Sequence, residues 1–114
     1  MQCDILRLYR YLGKKWAYPI FTNISIKPLS FNEIYALTKH KINPTLLSDR
    51  LKEMVALQIV SKNAQNNRTF YVITPAGKKL KSLLYQVKMW AEDMDYCIPE
   101  KCKNKDCVCT EVFS

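Results

Sequence analysis

An α+β domain, helical for most of its length and interrupted once by a β-hairpin, is the fold the sequence predicts. Three observations predict it. Apolar residues recur at three- and four-residue spacing on both sides of the hairpin segment. Two runs of β-branched and aromatic residues, Gln58 to Lys62 and Thr69 to Ile73, flank the turn-forming Ala64-Gln65-Asn66-Asn67. Helix-start signals stand at Ser30, Asn43 and Thr74. With 114 residues, the chain has room for one compact domain and little else.

The elements follow in order. Ile5, Leu8, Tyr9 and Leu12 predict a short amphipathic helix over residues 3–12, closed by Gly13. A second helix starts near Trp16 and runs to about Ile26, with Pro19 in its first turn, where a missing N–H costs little. Lys27-Pro28 ends it. Ser30-Phe31-Asn32-Glu33 has the form of a capping box and opens a third helix through Ile34 and Leu37 to about Lys39. Asn43-Pro44, an N-cap followed by a proline at the first helical position, opens a fourth that reaches Leu57. On it Leu47, Leu51, Met54 and Gln58 share one side with Val55 beside them, while Thr45, Ser48, Asp49 and Lys52 share another. After the hairpin, Thr74-Pro75 caps a long helix to about Met94, striped by Leu80, Leu83, Leu84, Val87, Trp90, Ala91 and Met94. Residues 1–95 form the expected domain, and 96–114 an irregular, cysteine-rich tail. Two short helices joined by a tight turn and followed by a two-stranded hairpin make a winged helix-turn-helix, in which the second helix of the pair fits the major groove of DNA.

Charge distribution supports that reading. Residues 1–91 carry 15 lysines and arginines against 4 acidic residues, and residues 92–114 carry 3 against 6. A basic body suits a polyanion, because neutralised phosphates release counterions, although a merely solvated surface has the same composition. Two glycines leave no Gly-rich phosphate loop. No apolar run is long enough for a membrane span, and Asp4 and Arg7 break any signal-peptide core, so a cytoplasmic protein without membrane attachment is expected. No Ser–His–Asp grouping, carboxylate pair or helical His pair supports an enzyme, and His40 is the lone histidine.

Five stretches, in order, resemble the HxlR family of winged-helix regulators, relatives of MarR and PadR proteins. They are Cys3; Gly13-Lys14-Lys15-Trp16; Phe31-Asn32-Glu33-Ile34; the run from Ile42 to Met54 around Asn43-Pro44-Thr45-Leu46-Leu47-Ser48-Asp49-Arg50; and Tyr71-Val72-Ile73-Thr74-Pro75-Ala76-Gly77. The resemblance covers roughly residues 3–95 and implies a homodimer that binds double-stranded DNA and regulates transcription. It also implies a redox- or electrophile-responsive thiol at Cys3; a buried, inert Cys3 is the competing reading. Pro19, a short wing and the cysteine tail lie outside the family pattern.

The candidate DNA-reading side chains are Asn43, Thr45, Ser48, Asp49 and Lys52 on one helix face, with Arg50 nearby. Lys62, Asn66, Asn67 and Arg68 on the wing are candidates for backbone or minor-groove contact. Trp16, Tyr18, Phe31, Tyr71 and Trp90 have the spacing of core or dimer-interface residues. In the tail, Cys97, Cys102, Cys107 and Cys109 suit a tetrahedral zinc site, one or two disulfides, or free thiols. The expected function is therefore a sequence-specific DNA-binding regulator, responsive to redox state or metal. A winged-helix protein-interaction module and a small metal- or redox-handling protein are the alternatives.

Overall fold

The order of elements follows from where the backbone is capped. The structure, a computed structural model, describes residues 3–109. Helix α1 spans Asp4–Leu12, α2 Ala17–Ile24, α3 Phe31–Leu37, α4 Pro44–Ala56 and α5 Pro75–Asp93. Strands β1 (Leu29–Ser30), β2 (Val60–Gln65) and β3 (Arg68–Ile73) form an antiparallel sheet in the order β1-β3-β2, and one 3-10 turn covers Glu100–Cys102. The fold is the predicted α+β winged helix-turn-helix with a long C-terminal helix.

Each start signal works as its chemistry requires. Ser30 Oγ accepts from the Glu33 backbone N–H at 3.2 Å, and the Ser30 N–H donates to the Glu33 carboxylate at 3.0 Å, completing the capping box. That donation holds the Glu33 carboxyl below the usual carboxylate range. Asn43 Oδ1 accepts from the Thr45 N–H at 2.7 Å, and Thr74 Oγ1 accepts from the Gly77 N–H at 3.0 Å. Pro19 falls at the third position of α2, where its missing N–H has no partner to lose, and the helix is unbroken.

Several boundaries differ from the sequence reading. Gly13 does not supply a left-handed cap; its φ is −84°, and the reversal falls three residues later at Trp16, with φ 75°. A bulky residue tolerates that strain because its ring is buried in the core. Helices α2 and α3 end at Ile24 and Leu37, each about two residues short of expectation, and Lys39 and His40 both turn left-handed to close the α3–α4 connection. Gln58 does not extend the apolar side of α4. It is exposed with φ 63°, forming the corner between α4 and the sheet. Strand β1 carries too few residues for an alternation signal; it exists because Leu29 and Ser30 pair with Tyr71 and Phe70 of β3. Ala64 and Gln65 belong to the ladder, opposite Thr69 and Arg68, which leaves a two-residue turn of Asn66 and Asn67 with φ of 51° and 63°. Two consecutive positive φ values match the right-handed twist of the strands, and asparagine accepts them more readily than most residues.

The core lies between α2, α4 and the sheet, around Ile20, Phe21, Ile24, Leu47, Leu51, Met54 and Val60. Helix α1 contributes Tyr11, not the predicted stripe: Ile5 and Tyr9 are exposed, and Leu8 and Leu12 half-buried. The α5 stripe also divides. Leu80 and Leu84 pack on the core, while Leu83, Val87, Trp90 and Met94 face outward.

Gly77 joins α5 to the sheet by close approach. Its φ is ordinary, but an added Cβ would fall inside contact with the Ile59 carbonyl oxygen and 2.7 Å from Ile73 Cγ1. Backbone cannot yield as a flexible side chain does. Gly77→Ala is therefore expected to cost about 3 kcal/mol and to lower the melting temperature by more than about 10 °C. An unchanged thermal unfolding midpoint would contradict this packing.

Candidate nucleic-acid interface

Helix α4 is held from beneath by Leu47, Leu51 and Met54, each fully buried. That anchoring leaves Thr45, Asp49 and Lys52 exposed and Ser48 half-exposed on the opposite side, with Asn43 at the helix start. The α4 surface continues into the wing. A shallow groove of about 160 Å³ is lined by Ser48, Lys52 and Val55 of α4 and by Lys62 and Tyr71 of the hairpin. Ser48 and Lys52 of the helix and Lys62 of the wing thus border one concavity. Asn66, Asn67 and Arg68 form the exposed tip, where the Arg68 guanidinium lies 5.3 Å from the centre of the Phe70 ring.

Arg50 is placed differently from its neighbours. Its Nε donates to the Lys15 carbonyl at 3.1 Å and its Nη1 to Glu53 Oε1 at 2.6 Å, and its side chain is only 12% exposed. Lys14 Nζ takes the other Glu53 oxygen at 2.7 Å. Glu53 orients Arg50, and the cluster ties α4 to the α1–α2 connection. Sequence periodicity could not find this, because Lys14 and Glu53 are 39 residues apart.

The helix-turn-helix connection adds basic side chains. Lys39, His40 and Lys41 are exposed, with the His40 ring 4.4 Å from that of Tyr35. Arg7, Arg10 and Lys14 line a separate cavity between α1 and α4 together with Lys52. Of these, Arg10 was visible in the sequence only through its contribution to total charge, whereas Lys52 already stood among the DNA-reading candidates.

The cysteines fall into two groups. Cys3 is exposed at the N-cap of α1, with its backbone carbonyl accepting from the Arg7 N–H. The tail folds back over α2 and α5. The Cys109 N–H donates to Thr22 Oγ1 at 3.0 Å, and Lys81 pairs with Asp106 at 3.0 Å. Burial pushes the Cys107 thiol up, Lys88 pulls the other way, and the neighbouring Cys102 and Cys109 thiols push it up further. Cys97 is exposed, and among the described residues no three His, Cys, Asp or Glu side chains come together in a group that could hold a metal ion. Residues 110–114 of the expected tail lie outside the described residues. No described helix is long and apolar enough to cross a membrane.

A buried three-helix support, a polar-faced α4 and a basic two-stranded wing define a winged helix-turn-helix protein. The chain belongs to the HxlR-like helix-turn-helix family, whose model matches residues 11–99. The reduced form of the transcriptional regulator YodB from B. subtilis is 27% identical over 81% of this chain and 93% of its own, with a TM-score of 0.68. The diamide-treated YodB is 26% identical, covering 87% of this chain and 98% of its own, with the same TM-score. A possible HxlR family transcriptional factor from Thermoplasma volcanium GSS1 shares the fold at 23% identity and a TM-score of 0.61, over 77% of this chain and 81% of its own. No curated protein matches the chain by sequence.

Proposed function

We propose that the chain is a homodimeric, cytoplasmic transcriptional regulator that binds double-stranded DNA. The observation that carries this reading is the continuous exposed surface from α4 across the groove to the wing, in a member of a helix-turn-helix family. Thr45, Ser48, Asp49 and Lys52, with Asn43 at the helix start, meet base edges in the major groove. Lys62, Asn66, Asn67 and Arg68 contact the flanking backbone or minor groove. Arg50, engaged by Glu53 and Lys15, sets the attitude of α4. The test is a mobility shift with duplex DNA: bound complexes at low salt are expected, and no binding to any duplex would end the reading.

The family likeness to a regulator solved in reduced and diamide-treated forms favours control by thiol oxidation. Cys3 and the tail pair Cys102 and Cys107 are the responsive thiols. Cys102 and Cys107 stand in hydrogen-bonding proximity, with Cys109 beside them. Oxidation by a peroxide joins their sulfurs, the two thiol protons and two electrons reducing the peroxide O–O bond. The domain boundary then follows at residue 95, with 96–114 as a regulatory tail. Treatment of the full chain with hydrogen peroxide is expected to give a Cys102–Cys107 cross-link within one chain, read by peptide mass spectrometry. Full alkylation of both thiols after treatment would exclude the pair.

A further inference from the structure

Between α1 and α4 lies an open cavity of about 440 Å³, within the size range of small-molecule sites. Arg7, Arg10, Lys14 and Lys52 line it, against a single carboxylate, Glu53. Glu53 is already neutralised by Lys14 and Arg50. Arg7 has a partner in Asp4 at 3.1 Å, itself largely in solvent. Among the described residues, no hydrogen bond or ion pair engages the side chain of Arg10 or Lys52.

The cavity is more than a basic patch. Ala56 and Leu57 supply an apolar wall, and Tyr11, 1% exposed, closes the inner side. Its hydroxyl is the one buried side-chain polar atom among the described residues without a hydrogen-bond partner. Native interiors rarely leave such a group unsatisfied, because removing it from water carries a cost that only a partner offsets. A site combining unpaired cations, an apolar wall and an unsatisfied hydroxyl fits a ligand with an anionic head and an apolar body.

We propose that this cavity binds a small organic carboxylate. The Arg10 guanidinium takes the carboxylate in a forked, two-bond geometry, and Lys52 adds its charge. The apolar body lies against Ala56 and Leu57, with the unsatisfied Tyr11 side chain in the same lining. Lys52 also lines the groove between α4 and the wing. A ligand that holds Lys52 in the cavity withdraws it from DNA, so the ligand lowers DNA affinity; this consequence rests on the DNA-binding reading, whereas the binding site does not.

Benzoate and hexanoate, titrated calorimetrically into the full chain without DNA, test the site. One molecule of at least one of them is expected to bind per chain with a dissociation constant of about 1 mM or tighter. Arg10→Ala, an exposed position on α1, should weaken binding about tenfold or more, and Arg68→Ala at the wing should leave it unchanged. Duplex DNA affinity should respond in the opposite manner to Arg68→Ala, which separates the cavity from a phosphate-backbone site. Failure of both carboxylates to bind, or equal losses in the two variants, overturns the proposal. So does inorganic phosphate binding as tightly as either carboxylate, since that would make the apolar wall irrelevant. Carboxylate binding with no DNA binding would retain the site and remove the regulatory consequence.

Discussion

Raising salt from about 50 to about 200 mM is expected to weaken duplex DNA binding by about 10³–10⁵, the loss that six to ten phosphate contacts impose. Fluorescence anisotropy with a labelled duplex measures it as the slope of log affinity against log salt. The expectation rests on 15 lysines and arginines in residues 1–91 and on where the fold exposes them. Lys39 and Lys41 lie at the helix-turn-helix connection, Lys52 on α4, and Lys62 and Arg68 on the wing, all exposed. The acidic residues Glu33 and Glu53 are engaged in the cap and in the Arg50–Lys14 cluster. Arg68→Ala should reduce the slope by about one and weaken all sequences alike. Lys52→Ala, on the reading helix, should instead change which base pair is preferred, by about 1–3 kcal/mol at that position. A salt-independent affinity would mean that phosphates are not the partner.

Val87→Glu is expected to convert the proposed dimer to monomers and to reduce operator binding severely. Leu83, Val87, Trp90 and Met94 are 57%, 55%, 53% and 54% exposed, spaced four, three and four apart on the outer face of α5. Ile5, Leu6 and Tyr9 of α1 are also exposed, and Tyr96 meets Trp90 edge-on at 5.5 Å. Scattered exposed apolar residues need no explanation, but a helical stripe of this kind is the surface that the proposed homodimer would cover. A twofold pairing would place each stripe against its copy and set the two α4 helices about 34 Å apart, or a multiple of that, one turn of DNA. Glutamate at Val87 would put unpaired charges at the centre of that contact, a cost of several kcal/mol. Sedimentation velocity measures the change, with wild type expected as dimers at tens of micromolar. A monomeric wild type would remove the need for a palindromic operator.

The site was legible in the sequence wherever a local rule carried it. Asn43-Pro44 marks the start of α4, and the three- and four-residue spacing of Thr45, Ser48 and Lys52 marks the face opposite Leu47, Leu51 and Met54. Asn66-Asn67 marks the wing tip, though β2 runs past Lys62 to Gln65 and β3 starts one residue earlier, at Arg68, than the apolar pattern suggested. Arg50 was misleading: one position along a helix from Asp49 and two from Lys52, it turns to Lys15 and Glu53 because a guanidinium on that side meets a carbonyl and a carboxylate instead of water. The tail cysteines were conspicuous by density, but spacing alone could not say that Cys107 meets Cys102 while Cys97 stays exposed.

By itself the sequence determined the order of the helices and the hairpin, because caps, proline positions and apolar periodicity are set within a few residues and need no distant partner. It also determined the basic character of the body, which is a sum over side chains. Only the tertiary structure decided which apolar faces are covered. The α1 stripe Ile5–Tyr9 stays outside while Tyr11 is buried, and α5 gives Leu80 and Leu84 to the core but leaves Val87 and Trp90 exposed. It likewise decided that β1 exists, since two residues become a strand only when β3 offers them a ladder. And it decided that Arg10 and Lys52, 42 positions apart in the chain, share a cavity with a buried, unsatisfied Tyr11, because α1 and α4 meet only once long-range burial has outweighed the entropy of bringing them together.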